Sequence, residues 1–137
     1  MDKRIRVVVV DDHEPFRHAL VHLLSFDGSI EVVGEGADGR DLVELCEELR
    51  PDVALVDLMM PELDGAAATS EVKKRFPEIG VIVFSVFNQE RYVRRGLDAG
   101  ADRYLVKGLP RGELLATIKQ VAGEMADLAA HHEEGTR

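Results

Sequence analysis

The sequence has almost no features of a secreted or membrane-embedded protein. Its single cysteine, Cys46, excludes an intrachain disulfide. No apolar run approaches the roughly 20 residues that a membrane-spanning helix needs. The N-terminal MDKRIR is followed by only four valines, which lack the length and the cleavage site of a signal peptide. We therefore expect a cytoplasmic protein that does not contact membranes.

Basic residues are outnumbered by acidic ones. The 137 residues include 17 Lys+Arg against 26 Asp+Glu, which gives a net charge of −9 at pH 7. This balance argues against DNA binding by this chain alone, because nucleic-acid affinity depends on neutralising phosphates. The sequence also lacks the GK[ST] signature of a nucleotide-binding phosphate loop. No long linker, internal repeat or low-complexity tract interrupts it, so one domain with its own core is expected.

Short apolar runs alternate with segments of helical spacing along the chain. The runs are rich in β-branched residues and cover positions 5–10, 30–33, 53–56, 81–84 and 104–106. Such alternation predicts an α/β fold with a doubly wound, five-stranded parallel sheet. The expected architecture is flavodoxin-like, (βα)5, with strand order 2-1-3-4-5.

The helical segments are predicted from apolar residues that share one face and from their capping residues. Asp38 or Asp41 is expected to cap the second helix and Asp64 the third. The predicted apolar faces are Phe16/Leu20/Leu23/Leu24, Leu42/Leu45/Leu49, Ala67/Val72/Phe76, Val93/Leu97 and Leu114/Leu115/Ile118/Val121/Ala122/Met125.

Polar residues follow four of the five predicted strands where each strand ends. They are Asp11 and Asp12 after the first strand, Asp57 after the third, Ser85 after the fourth and Lys107 after the fifth. Since the carboxyl ends of parallel strands meet at one edge of the sheet, these side chains should lie close together. The second strand delivers Glu35, which we interpret as a surface residue because that strand lies away from the switch point.

Three carboxylates and one ammonium group at this edge sum to a charge of about −2 and should repel unless a cation joins them. Oxygen ligands favour Mg²⁺, with Mn²⁺ as a possible substitute, and a backbone carbonyl near Met59 could add a neutral ligand. An aspartate placed beside such a cation, a lysine and a hydroxyl is arranged to attack phosphorus. Mg²⁺, Lys107 and Ser85 would then neutralise the phosphoryl oxygens.

Together these motifs resemble the receiver domain of two-component response regulators, from Arg4 to about Ala126. The matching motifs are DD after the first strand, DLMMPELDG after the third, a serine after the fourth and AGADRYLVK around the fifth. The resemblance implies that Asp57 is the phosphoacceptor. It further implies that Asp11, Asp12 and the Met59 carbonyl bind the metal, that Ser85 and Tyr104 are the switch residues and that Lys107 binds the phosphate.

The VVDDH opening and the missing proline after Lys107 are most similar to the NarL/FixJ (LuxR-type) class. Gly108 replaces that proline, and Val86 stands where a small residue is usual. Met59 and Phe87 occupy the two positions that tune hydrolysis of the acyl phosphate in this family. Neither side chain can orient a water molecule by hydrogen bonding, so we predict an aspartyl phosphate that is long-lived unless a phosphatase acts.

The resemblance also implies partners and boundaries. A sensor histidine kinase would donate the phosphoryl group, and the surface of the fourth helix, fifth strand and fifth helix would change in response. Residues 1–126 would form the receiver, and residues 127–137 an extension of the last helix with a polar tail. That tail could lead to an absent output domain, through which alone the protein would bind DNA and regulate transcription. A homodimer could form through the last helix or the responsive surface.

Several alternatives remain open from the sequence. A phosphatase of similar topology would carry a second aspartate two residues after the nucleophile, where this chain has Met59, and a pseudo-receiver would lack a key residue. Catalysis beyond the chain's own phosphoryl transfer and slow dephosphorylation is not expected, so we do not predict an enzyme. His18 and His22 are spaced for a metal but are interpreted as surface residues. Arg91, Arg94 and Arg95 form either a solvated face or a partner surface.

Overall fold

The computed structural model describes residues 3–60 and 63–135, with side chains described through residue 130. Within these residues, five strands alternate with five helices. In chain order they are β1 (Ile5–Val10), α1 (Glu14–Ser25), β2 (Ile30–Gly36), α2 (Gly39–Leu49), β3 (Val53–Val56), α3 (Gly65–Arg75), β4 (Gly80–Ser85), α4 (Glu90–Asp98), β5 (Arg103–Val106) and α5 (Arg111–Gly135).

The strands form one sheet with the order β2-β1-β3-β4-β5, and every neighbouring pair is parallel. This confirms the predicted doubly wound, flavodoxin-like arrangement. Helices cover both faces because alternate residues of a strand point to opposite sides of the sheet. In β1, Val8 belongs to the apolar cluster that includes Leu42 of α2, whereas Val9 belongs to the cluster that includes Ile118 of α5. Each fully buried side chain of this kind contributes about 1.5–3 kcal/mol.

Three strands are longer than the apolar runs that predicted them. β2 continues beyond residue 33 to Gly36, which pairs with Val10 at the end of β1. The register shifts between Val7 and Val8, so one residue of β2, Val33, is passed over in the pairing. Such a bulge lets the strand continue while its direction changes. β4 and β5 also gain residues, Gly80 and Ser85 in one and Arg103 in the other.

Two helix starts follow the predicted capping chemistry. The Asp38 carboxylate accepts a hydrogen bond from the Asp41 amide at 2.9 Å, so Asp38 rather than Asp41 caps α2. Asp64 caps α3 by accepting from the Ala67 amide at 2.8 Å. Each cap satisfies an amide that the helix itself leaves without a partner.

Two predicted apolar faces are partly wrong. In α3 the predicted core residue Ala67 is exposed, and its neighbours Ala66 and Ala68 are buried instead. In α4 Leu97 is 45 % exposed, and Gly96 is the buried residue of that helix. A Cβ at position 96 would lie 3.0 Å from the Tyr104 ring, so α4 approaches β5 through its glycine rather than its leucine.

The last helix is longer than expected. α5 contains 25 residues, which corresponds to about 37 Å, whereas the strands contain four to seven residues. The helix therefore continues beyond the sheet, and the expected boundary between residues 126 and 127 falls inside it. Residues 136 and 137 of the expected polar tail lie outside the described residues. Within the described part, no helix is both long and apolar enough to cross a membrane.

Candidate functional site

Two central strands bring the first and third strand-end aspartates side by side. Val10 pairs with Val56 at the ends of β1 and β3, and the Asp57 amide donates to the Val10 carbonyl at 3.0 Å. The next residues along both strands therefore lie at the same sheet edge. Oxygen atoms of Asp11, Asp12 and Asp57 all lie within 4.8 Å of one another. Asp11 is buried, Asp57 is half-buried and Asp12 is exposed.

Lys107 joins this acid cluster from the end of β5. Its ammonium group lies 2.7 Å from Asp11 Oδ2 and 3.4 Å from Asp57 Oδ2, and its side chain is only 11 % exposed. The same nitrogen lies 4.2 Å from the centroid of the Phe16 ring, in cation–π contact. The Lys107 amide donates to the Ser85 carbonyl at 2.7 Å, which fixes the backbone beside the end of β4.

The protonation equilibrium of Asp57 reflects this crowded environment. Burial raises the pKa of Asp57 above its ordinary value of 3.8. The positive charge of Lys107 opposes this shift, and the negative charge of Asp11 adds to it. A group whose ionised form is disfavoured in this way gains from any cation that approaches it. The surplus of carboxylates over cations therefore fits a hard divalent cation with oxygen ligands.

Ser85 and Tyr104 lie on neighbouring strands beside the cluster. Ser85 is fully buried, and its hydroxyl oxygen accepts a hydrogen bond from the Phe87 amide at 3.2 Å. The Tyr104 hydroxyl donates to the Phe87 carbonyl at 2.7 Å. Both predicted switch residues thus contact the same segment, the β4–α4 loop. Gly96 of α4 leaves the space that the Tyr104 ring occupies.

The β3–α3 loop comes close to the aspartate-bearing strand because its helix begins with glycine. A Cβ at Gly65 would lie 2.0 Å from the Asp57 carbonyl oxygen, which no side chain could tolerate. The Gly65 amide donates to the Leu58 carbonyl at 2.9 Å and closes the loop. Met59 in this loop is 42 % exposed. Its sulfur lies 3.6 Å from Arg95 Nη1 of α4, and Arg95 also pairs with the capping residue Asp64.

Phe87 and Val86, which follow the Ser85 hydroxyl in the sequence, have different environments. Phe87 stacks on Tyr92 of α4, with ring centroids 4.5 Å apart and an interplanar angle of 26°. Val86 is 63 % exposed. Neither of the two histidines spaced for a metal is buried: His18 pairs loosely with Glu14 at 3.7 Å, and His22 contacts Phe26 edge-on.

Sequence reasoning missed three residues that support this site. Phe16 was assigned only to the core face of α1, yet it contacts the Lys107 ammonium group. Arg17 donates from Nη1 to the Asp11 carbonyl at 2.6 Å and from Nε to Glu35 Oε1 at 3.2 Å. Glu35 is exposed, as expected of a surface residue, but it also has a partner beside the acid cluster. The available signal was its position at a strand end, like the other site residues.

Comparisons with known proteins show the family of this chain. The family described as the response regulator receiver domain matches residues 7–119. The chain is 38 % identical over 121 residues to the transcriptional regulatory protein DegU of Brevibacillus brevis, covering 88 % of this chain and 51 % of DegU. It is 40 % identical over 116 residues to the response regulator protein VraR of Staphylococcus epidermidis, covering 85 % of this chain and 56 % of VraR. The chain thus spans about half the length of these curated relatives.

The fold gives the same assignment. The signal receiver domain of the response regulator NarL from Mycobacterium tuberculosis superposes with a TM-score of 0.83 at 37 % identity, covering 88 % of this chain and 98 % of that one. Similarity to these regulators supports the NarL/FixJ class. The family match extends over more than half of the chain, and its residues include the whole acid cluster and Lys107. This chain belongs to the family of response regulator receiver domains.

Proposed function

We propose that Asp57 is the phosphoacceptor of a phosphorylation-driven switch. The observation that carries this proposal is the Lys107 ammonium group, which lies within 3.4 Å of both Asp11 and Asp57 although its side chain is almost buried. Receiver domains are signalling switches rather than ordinary enzymes. Asp57 follows β3 beside the end of β1, and one of its oxygens lies 3.4 Å from the Lys107 ammonium group. A carboxylate in this position is suited to attack phosphorus.

In the proposed reaction, an Asp57 oxygen forms a bond to the phosphorus of a phosphohistidine while the P–N bond breaks. The imidazole nitrogen keeps the electron pair of that bond and takes up a proton. Lys107 would contact one phosphoryl oxygen, and the Ser85 hydroxyl would turn from the Phe87 amide to donate to another. Both contacts are stronger in a site that excludes water.

Mg²⁺ is the proposed cofactor, with Mn²⁺ as a substitute. Asp11, Asp12 and Asp57 would hold it with their carboxylates, and Met59 would do so with its backbone carbonyl. When bound, the ion would neutralise the negative charge that gathers on the phosphoryl oxygens. The acid cluster supports this proposal because its charge is not balanced by Lys107 alone.

The switch would act through the β4–α4 loop. In the structure, the Ser85 hydroxyl and the Tyr104 hydroxyl contact the amide and the carbonyl of the same residue, Phe87. When Ser85 turns toward a phosphoryl oxygen, its bond to Phe87 is released, and the loop can move with Tyr104. Phosphorylation would thereby shift an existing equilibrium at the α4-β5-α5 surface.

The partners are proposals of the same kind. A sensor histidine kinase would supply the phosphoryl group. Residues 1–126 would be the receiver. Residues 127–137 would comprise an extension of the last helix and a polar tail that leads to an output domain, which binds DNA and regulates transcription. DegU and VraR support this proposal, because both are named as regulators and each is about twice as long as the region that matches this chain.

A homodimer through α5 or through the α4-β5-α5 surface is a further proposal. Leu128 in the overhanging part of α5 is 48 % exposed, and Leu97 on α4 is 45 % exposed. A second copy could cover either residue. Light scattering before and after phosphorylation tests the dimer, and a monomer in both states would contradict it.

A direct test of the main proposal uses acetyl phosphate as donor and intact-mass spectrometry as readout. The unchanged chain should gain one phosphoryl group with MgCl₂ and none with EDTA. Asp57→Asn should lower labelling at least about 100-fold. Asp98→Asn at the exposed end of α4 is the matched control and should label normally. Equal labelling of Asp57→Asn would overturn the proposal.

The lifetime of the acyl phosphate depends on whether a group near Asp57 can orient water. The Phe87 ring stacks on Tyr92, and Met59 offers only a thioether, so the chain should lose its phosphoryl group slowly. Met59→Asn introduces hydrogen-bonding groups and should shorten the lifetime several-fold. Decay of the unchanged phosphoprotein within seconds would contradict this part of the proposal.

A further inference from the structure

Asp11 is held in place through all four of its hydrogen-bonding groups. Its amide donates to the Gly36 carbonyl at 3.0 Å, and its Oδ1 accepts from the His13 amide at 2.9 Å. Its Oδ2 accepts from Lys107 at 2.7 Å, and its carbonyl accepts from Arg17 at 2.6 Å. The partners in the first three contacts are the Gly36 carbonyl, the His13 amide and Lys107, which already belongs to the site. The fourth depends on a side chain that has no assigned role.

Arg17 is well placed to control the turn that carries the metal-site acids. It lies on α1, its side chain is 14 % exposed, and its guanidinium group spans the Asp11 carbonyl and Glu35 Oε1. A guanidinium group is planar and donates in fixed directions, so two acceptors define its orientation. Charge-assisted hydrogen bonds of this length are also stronger than neutral ones. Arg17 thus connects the ends of β1 and β2 across the start of α1.

We propose that Arg17, oriented by Glu35, is a positioning residue that holds the Asp11–Asp12 turn in the geometry for binding Mg²⁺. Asp12 is exposed, so the position of its carboxylate depends on the backbone between Asp11 and His13. A carbonyl fixed at Asp11 restricts that backbone. The second strand would then contribute to the site through Glu35, by way of Arg17. This inference rests on the proposed Mg²⁺-dependent function.

Positioning and simple electrostatics predict opposite effects for the loss of Arg17. Removing a positive charge close to three carboxylates should make Mg²⁺ bind more tightly if charge alone matters. Removing a positioning contact should make Mg²⁺ bind more weakly, because groups that orient metal ligands typically change affinity about 10- to 100-fold. The sign of the change therefore separates the two explanations.

The chain contains a matched control for Arg17 away from the acids. Arg103 also donates to a backbone carbonyl, that of Asp102, at 2.7 Å, and to a carboxylate, that of Glu124, at 2.6 Å. Arg103 begins β5, so it lies at the opposite end of that strand from Lys107. Arg103→Met removes the same kind of contacts without touching the Asp11–Asp12 turn.

The experiment measures Mg²⁺ binding to the complete, unphosphorylated chain by isothermal titration calorimetry. Arg17→Met should weaken binding about 10-fold, and Arg103→Met should leave it unchanged. Adding Glu35→Ala to Arg17→Met should cause little further loss, because Glu35 acts through Arg17. Equal or tighter binding by Arg17→Met would overturn the inference, and so would additive losses in the double variant.

Glu35→Ala alone removes the acceptor that orients Arg17, and it provides a second measurement should Arg17→Met fail to fold, which circular dichroism would reveal. A loss of affinity that persists in about 0.5 M KCl indicates positioning, because this salt screens exposed charges. A loss that vanishes in salt would overturn the inference. Glu31→Ala, on the same strand, is the control and should bind normally. Failure of the unchanged chain to bind Mg²⁺ would instead overturn the proposed function, and this inference with it.

Discussion

Two nearly buried lysines lie at opposite edges of the sheet and have different surroundings. At the amino-terminal edge, Lys73 donates to the Pro77 carbonyl at 3.0 Å, the Ile79 carbonyl at 2.8 Å and Asp102 Oδ2 at 3.0 Å. At the carboxyl-terminal edge, Lys107 lies beside two carboxylates and an aromatic ring. Their side chains are 15 % and 11 % exposed, so burial alone does not distinguish them.

The difference lies in charge balance. Lys73 pairs with one carboxylate, and that carboxylate also accepts from the Val81 amide at 2.8 Å, so the group around Lys73 is compensated. Lys107 faces a cluster of three carboxylates, and burial already raises the pKa of Asp57 within it. A balanced cluster stabilises the fold, whereas an unbalanced one remains available to a ligand of opposite charge. This contrast, rather than the presence of a buried lysine, distinguishes the edge at which the functional site is proposed.

The strongest test of the contrast is Lys73→Met. This change leaves the Asp102 carboxylate without its cation and two carbonyl groups without a donor, while it keeps most of the apolar stem. Breaking a buried pair of this kind should lower the free energy of unfolding by about 3 kcal/mol. Urea unfolding followed by circular dichroism measures the loss.

The neighbouring Lys74 is exposed, so Lys74→Met is the control and should change stability by less than about 0.5 kcal/mol. Lys107→Met supplies the comparison at the other edge, since the carboxylates it leaves can still be neutralised by Mg²⁺. Its stability should recover when MgCl₂ is added, and that of Lys73→Met should not. A similar response of both variants to Mg²⁺ would remove the distinction between the two edges.

The second test removes two charges from the unbalanced edge. The double variant Asp11→Asn/Asp12→Asn should bind Mg²⁺ at least about 100-fold more weakly, because amide oxygens carry no charge. Its free energy of unfolding should stay the same or rise, since repulsion with Asp57 is relieved and the amide oxygen can still accept from His13. Calorimetry and urea unfolding measure the two effects.

Asp102→Asn is the counterpart at the balanced edge and should lower stability, because Lys73 then loses its charge partner. Normal phosphorylation of the Asp11→Asn/Asp12→Asn variant would contradict the proposal that these two residues hold the Mg²⁺ needed for the reaction.

The sequence was sufficient to predict which side chains meet at the carboxyl-terminal edge, because their positions follow from strand order. Asp11, Asp57 and Lys107 were predicted to meet because parallel strands present their carboxyl ends at one edge, and the structure brings them together. The same rule assigns no role to Lys73. Its ammonium group reaches Asp102 only because α3 ends beside the loop that precedes β5, and periodicity does not specify that distance.

Long side chains and close helix contacts account for what the sequence could not provide. The contact between Arg17 and Glu35 was missed because hydrophobic spacing places backbones, not the ends of flexible side chains. Leu97 was assigned to a core face by spacing, but Gly96 allows the Tyr104 ring to approach α4 and displaces the leucine towards solvent. In both cases the deciding contact joins elements that are distant in sequence.

A third test uses the pH dependence of stability. The pKa of Asp57 is raised in the folded protein, so folding favours its protonated form, and its charge costs stability above that pKa. This cost should vanish as the pH falls towards the ordinary value of 3.8. Asp57→Asn should therefore raise the midpoint of thermal unfolding by a few degrees at pH 7. The gain should disappear near pH 4.

Asp27 provides a control of opposite sign. Hydrogen bonds from the Ser29 hydroxyl, and then from the Ser29 amide, lower the pKa of Asp27 to about 2. Its charge therefore stabilises the fold above pH 3.8, and that stabilisation is lost as the pH falls through about 2. Asp27→Asn should lower the midpoint at pH 7. Parallel pH profiles for the two variants would contradict the raised pKa of Asp57.

The smallest expected effect concerns the aromatic ring beside Lys107. Phe16→Leu keeps an apolar residue against Phe84 but removes the ring face, which lies 4.2 Å from the ammonium nitrogen. A cation–π contact in this setting contributes about 0.5–1 kcal/mol. The variant should therefore lose no more than about 1 kcal/mol of stability, and acetyl phosphate should label it a few-fold more slowly, since Lys107 is less well held.

A cation–π contact at the amino-terminal edge provides the matched control for Phe16→Leu. The Phe76 ring lies 4.2 Å from the guanidinium carbon of Arg50, the same distance as in the Phe16–Lys107 contact. Phe76→Leu should cost stability, because Phe76 is buried, but should leave the rate of labelling unchanged. Stability and phosphorylation would then respond separately at the two edges. Slower labelling of both variants would mean that general loosening of the fold, rather than the position of Lys107, controls the reaction.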